Sequence, residues 1–203
     1  MSVAESVRKL TEAEYLALER AAEFKSEFFA GEMFAMAGGT PEHSLIAANV
    51  IGELRTLLKG SRWVVFDPNL RLKIEATGLY TYPDATVVCG PRQHPTVETD
   101  VLVNPILLVE VLSDSTEAYD RGTKFDHYQK IPSLGEYLLV RQKDPCVEQC
   151  IRQPSGDWLL RQATGLEATL TLPSLEITIA LSEIYANVKF VPTPIRPPTP
   201  PRA

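Results

Sequence analysis

The chain has no surplus of positive charge. Lys and Arg number 20 against 26 Asp and Glu, for a formal net charge of −6 at pH 7. Neutralising a phosphate backbone ordinarily calls for a visible basic excess. The balance therefore weighs against a nucleic-acid partner, though a divalent metal or a local basic patch would offset it. Cysteine is scarce. Cys89, Cys146 and Cys150 are odd in number and follow no paired metal-ligand spacing, so they read as reduced thiols of a cytosolic protein. No basic segment followed by an apolar core marks a secretory signal. No apolar run approaches the roughly 20 residues of a membrane span, and no internal repeat is visible. These absences lead us to expect a cytoplasmic protein with no membrane partner.

What is present is ordinary for a globular chain: 203 residues, 44% apolar and 23% charged, enough for one well-stabilised domain. We expect that domain over residues 1–189. A proline-rich tail, 190–203, can neither pair into a sheet nor form a helix and is expected to be disordered. Thr11 to Glu14 has the form of a capping box opening a short amphipathic helix. Phe28-Phe29 and Met33-Phe34 flank Ala30-Gly31 as two strands joined by a turn. The spacing of Leu45, Ile46, Val50, Ile51, Leu54 and Leu57 predicts a helix from about 41 to 58, with Gly60 as its terminator. Strands follow at 63–66, 70–74, 83–88 and 106–113. Residues 89–104 read as a polar loop and 114–121 as a turn, with a helix over about 122–131 that Pro132 stops. A strand at 136–141, a hairpin around Ser155-Gly156, two short strands and a last helical turn complete an α/β (α+β) pattern. A central mixed β-sheet flanked by helices is the expected architecture.

One stretch stands out. Ile106-Leu107-Leu108-Val109-Glu110-Val111-Leu112-Ser113 is an apolar run of strand length with a carboxylate inside it. Such a run reads as a strand buried on both faces, where an uncompensated charge costs several kcal/mol or more. The compensator can be a metal ion, a buried cation such as Arg71 or Lys73, or the water of a cleft. Asp84 begins an earlier strand. If the two strands are antiparallel neighbours, Asp84 and Glu110 meet at one edge of the sheet, stably so with a cation between them. Two carboxylates, a carbonyl and waters suit Mg2+ or Mn2+. Lys124, on the following helix, could reach back over the strand end, with Tyr128 one turn further on the same face.

Pro83-Asp84, then Glu110-Val111-Leu112-Ser113, then Lys124 and Tyr128, resemble the PD-(D/E)xK nuclease superfamily and, more narrowly, the Uma2 family. Ser26-Glu27, Gly31-Glu32, His43 and Gly135-Glu136-Tyr137 extend the resemblance over roughly residues 10–185. It implies a restriction-endonuclease-like core and metal-dependent cleavage of DNA. Asp84 and Glu110 would bind the metal, with the Val111 carbonyl as a further ligand. The superfamily's lysine position two residues after the glutamate is Leu112 here. In the Uma2 family that lysine sits on the next helix, where Lys124 stands. His43, Glu32 and Tyr128 are accessory candidates.

Each residue also has a plainer role. Asp84 would start a strand, Glu110 would pair with Arg71 or Lys73, Lys124 would be a solvated helix residue and Tyr128 a core residue. His43 would belong to a helix cap, Glu27 and Glu32 to an exposed hairpin, and Asp114, Asp120 and Asp126 to the solvated surface. Arg71 and Lys73 would lie on a wet or DNA-facing strand. The leading expectation is a metal-dependent endonuclease. The alternatives are a binding or regulatory module that kept the fold without cleavage, and a small-molecule hydrolase using the same site. Cutting both strands of a duplex with one site per chain invites a homodimer.

Overall fold

The structure, a computed structural model, describes residues 8–36, 38–95 and 98–190. Helix α1 (Glu12–Ala21) opens with the reciprocal cap legible in the sequence: Thr11 Oγ1 accepts from Glu14 N, and the Glu14 carboxylate accepts from Thr11 N. Strands β1 (Ser26–Phe29) and β2 (Glu32–Ala35) pair antiparallel about Ala30-Gly31. Gly31, at φ +88°, adopts the left-handed region without a Cβ penalty. Helix α2 (Pro41–Leu57) is capped by Thr40, with Pro41 in its first turn, where a missing N–H costs nothing.

The order then runs β3 (Trp63–Phe66), β4 (Arg71–Ile74), β5 (Leu79–Thr81), β6 (Ala85–Cys89), β7 (Val101–Leu102) and β8 (Pro105–Val111). Helices α3 (Glu117–Arg121) and α4 (Thr123–Tyr128) follow. Strands β9 (Glu136–Val140), β10 (Cys146–Arg152), β11 (Trp158–Thr164), β12 (Thr169–Leu172) and β13 (Ile177–Ala180) lead to helix α5 (Leu181–Ile184). Among the described residues no helix is long and apolar enough to cross a membrane. The tail expected from residue 190 lies outside the described residues except for Phe190, whose ring packs 5.5 Å from that of Tyr185.

Two sheets carry the architecture. The larger has the order β11-β10-β9-β8-β6-β3 and is mixed, with β8 and β9 parallel and the other pairs antiparallel. The smaller has the order β2-β1-β5-β4-β7. Alternation along β8 sends Leu107, Val109 and Val111 into a core with α2, α5 and β12–β13. Leu108 and Leu112 enter a second core with Leu72, Ile74, Leu79 and Tyr128. The central strand is thus covered on both faces, as its composition predicts.

Three elements differ from expectation. β5 and β7 have three and two residues, too short for a periodic signal. The stretch 114–121, expected as a turn, contains α3. Ser113 Oγ accepts from Thr116 N, and its carbonyl from Glu117 N, so turn-forming residues start a single helical turn that then buries Asp120.

Leu54, fully buried on α2, and Leu57, 40% exposed three residues later, test this packing. Leu54→Ala should lower stability by about 3 kcal/mol in urea unfolding, and Leu57→Ala by less than about 0.5 kcal/mol. Equal effects would mean that α2 presents a different face to the sheet.

Candidate active site

Strands β6 and β8 are antiparallel neighbours in the register Ala85↔Val109, which carries Asp84 alongside Glu110 at one end of the sheet. Asp84 Oδ2 accepts the Val111 amide at 2.8 Å and lies 3.2 Å from His43 Nε2. His43 comes from the first turn of α2, whose Thr40 cap accepts the His43 amide and donates to Gln142. Gln142 in turn donates to the Leu112 carbonyl. The α2 N-terminus, the end of β8 and the turn after β9 are thereby tied together at the Asp84 carboxylate.

Lys124 reaches Glu110 from α4. Its Nζ lies 2.8 Å from Glu110 Oε1, 3.2 Å from Glu27 Oε1 and 3.4 Å from Asp120 Oδ1. Tyr128 donates to the same Glu110 oxygen at 2.7 Å. Glu27 is further held by the hydroxyls of Thr81 and Tyr119. The cation facing Glu110 is therefore Lys124. Arg71 donates to Tyr82 and Asp100 and Lys73 to Glu12. Neither cation is on a wet strand face, since both side chains are largely covered by α1 and its neighbours.

The structure brings Asp84, Glu110, Val111, Lys124, Tyr128 and His43 together and leaves out Glu32, which is exposed on β2. Glu27 and Asp120, expected on the surface, are instead buried in the cluster. A signal for Glu27 existed. Ser26-Glu27-Phe28-Phe29 places an aromatic ring on each face, so the strand is covered on both sides and Glu27 faces the same burial problem as Glu110. Asp120 carried no comparable signal, because its burial depends on the unforeseen α3. Asp114 and Asp126 are exposed as expected.

Three carboxylates around one ammonium leave an excess of negative charge away from water. Burial pushes the Glu110 carboxyl up to about 8, against the pull of Lys124 and with the help of Asp120 and Asp84. Burial also raises Asp120. For Lys124, burial alone would favour the neutral amine, but Glu110, Glu27 and Asp120 outweigh it and hold the ammonium charged. The hydrogen bond to Asp84 raises His43, against the effect of its own burial.

The donor set bears on a metal. The hydrogen bonds and ion pairs of Asp84 fall on Oδ2 and those of Glu110 on Oε1, which leaves Asp84 Oδ1 and Glu110 Oε2 as the candidate donors. No group of three His, Cys, Asp or Glu side chains able to cage an ion occurs among those residues. Two carboxylate oxygens beside an excess of negative charge fit a hard divalent cation that keeps several of its waters. Leu112 is buried in the apolar core, so no basic side chain enters from that position.

Comparison with known proteins places the chain. The profile of the Uma2 family, described as "Putative restriction endonuclease", matches residues 12–182. Two uncharacterized proteins of Synechocystis sp. are similar. One is 36% identical over 182 residues, covering 90% of this chain and 94% of the relative. The other is 33% identical over 177 residues, covering 87% and 100%. The crystal structure of a putative nuclease belonging to DUF820 from Anabaena variabilis superposes with a TM-score of 0.70 at 20% identity, covering 87% of this chain and 97% of that one. That likeness establishes a shared fold.

The raised Glu110 carboxyl has a consequence for stability. Between pH 4.5, its ordinary value, and about 8 the folded chain holds a proton that the unfolded chain releases. Its stabilising contribution is therefore complete below pH 4.5 and is lost as pH rises through about 8. Glu110→Gln removes this dependence. Urea midpoints measured from pH 5 to 9 should show wild type losing ground to the variant as pH rises. Parallel curves would mean that Glu110 is already ionised at the low end.

Proposed function

As the chain belongs to the Uma2 family of restriction-endonuclease-like proteins, we propose that it is a metal-dependent endonuclease hydrolysing DNA phosphodiester bonds at Asp84, Glu110 and Lys124. The observation that carries this reading is the 2.8 Å approach of Lys124 Nζ to Glu110 Oε1, at the sheet end where Asp84 immediately precedes β6. An ammonium reaching the carboxylate strand from α4 supplies the cation that Leu112 does not.

Each side chain has a distinct task. Asp84, with Oδ2 engaged by the Val111 amide and His43, keeps Oδ1 for an Mg2+ or Mn2+ ion, and Glu110 keeps Oε2 while Lys124 and Tyr128 orient its other oxygen. The Val111 carbonyl is a further oxygen donor at this end of β8. When bound, such an ion lowers the pKa of a coordinated water and offsets charge developing on the phosphate. Lys124, held charged by its carboxylate neighbours, orients the attacking water or stabilises the developing negative charge. The Glu110 proton must leave before that carboxylate can act as an anionic ligand, so metal affinity rises with pH toward about 8.

The second reading is a binding or regulatory module on the same fold. Its support is the compensation of Glu110 by protein groups alone, together with the net charge of −6. One experiment separates the two. Purified protein with Mg2+ or Mn2+ should nick or cut duplex DNA. Glu110→Ala should abolish cutting, and Lys124→Met should reduce it by at least about a hundredfold, the scale of losing a group that stabilises transition-state charge. Equal behaviour of wild type and Glu110→Ala across both metals removes the nuclease reading and leaves the module.

A further inference from the structure

Lys124 already faces three carboxylates, so an incoming phosphodiester gains from a further positive partner at this end of the molecule. Lys25 stands there. Its ammonium donates to the Pro68 carbonyl at 2.7 Å and lies 5.4 Å from the centre of the Tyr82 ring. Among the described residues it makes no ion pair. Pro68 belongs to the turn after β3, and the register Phe66↔Thr86 sets that turn at the Asp84 end of β6. Tyr82 precedes Pro83-Asp84 directly, in the segment that crosses from the smaller sheet to the larger.

The platform beneath Lys25 is rigid. Tyr82 Oη donates to Glu19 Oε1 at 2.8 Å and accepts from Arg71 Nε at 2.7 Å. The Lys25 carbonyl accepts the Met36 amide at the base of the β1–β2 hairpin, so the backbone is held as well. Burial lowers the Lys25 ammonium, against the nearby charges of Asp67, Asp84 and Glu19. An ammonium has three donors, and one hydrogen bond to a neutral carbonyl leaves two available.

We propose that Lys25 is a substrate-contacting residue that binds a phosphate of the DNA backbone beside Asp84 and seats the duplex across the carboxylate end of the sheet. This rests on the nuclease reading and adds to it the group that anchors the substrate. A lysine with its stem over an aromatic ring, a fixed backbone and spare donors contacts phosphate as a point charge, without reading sequence.

Wild type, Lys25→Gln and Lys25→Arg are compared on a short labelled duplex, by steady-state cleavage in Mg2+ and by binding in EDTA over a series of KCl concentrations. Lys25→Gln should raise KM about tenfold with kcat within about twofold, and flatten the slope of log Kd against log [KCl] by about 0.9. Lys25→Arg should restore both, and thermal midpoints of all three should agree. A KM and salt slope equal to wild type overturn the assignment of Lys25 while cleavage stands. A KM rise that follows a lowered thermal midpoint and is not restored by Lys25→Arg also overturns it, leaving Lys25 as a structural tie to Pro68. Wild-type protein that neither binds nor cuts the duplex overturns the nuclease reading and this one with it.

Discussion

One ammonium shared by three carboxylates is the interaction on which the site end of the molecule depends. Glu27 arrives from the hairpin of the smaller sheet, Glu110 from the central strand of the larger, and Asp120 from the single turn of α3. Each is buried, and each would carry a heavy desolvation cost alone. Lys124 binds three otherwise separate pieces of chain at one point. Its own burial would be unfavourable without them. The compensation is mutual, although the three carboxylates together outweigh the one ammonium.

Much of this organisation was legible in the chain. The apolar run around Glu110 signalled a strand covered on both faces, and both faces of β8 are covered. The capping box at Thr11 and the helical spacing from Pro41 to Leu57 correspond to α1 and α2. The reach of Lys124 from the following helix needs no sequence pattern beyond its place after Glu110. What escaped depends on tertiary context. β5 and β7 are too short to show a period, and α3 is preceded by Ser113-Asp114-Ser115-Thr116, residues that favour turns by the same local hydrogen bonds that here start a helix. Asp120 is hidden with α3, and Glu27 reads as a surface charge because its strand sits in a hairpin.

The position of Asp84 shows how the fold arranges its chemistry. Tyr82, Pro83 and Asp84 form the crossing between the two sheets. Tyr82 is fixed by Glu19 and Arg71 on the α1 side, and Asp84 by Val111 and His43 on the other. Proline at the centre removes a donor where no ladder partner is required and restricts the backbone. A carboxylate so constrained has little freedom to rotate away from its neighbours, and order of that kind precedes any ligand.

The members of the cluster are far apart in the chain, with Glu27 and Lys124 separated by about half its length. Contacts of such high sequence separation repay the entropy of closing their loops only late in folding. The β1–β2 hairpin and α2 are local structures that can form early, but the Glu27–Lys124 contact requires both sheets to have met. A nascent or partly unfolded chain therefore lacks the assembled constellation altogether. Whatever chemistry the site performs is confined to molecules that have finished folding, a safeguard set by topology rather than by any separate inhibitory element.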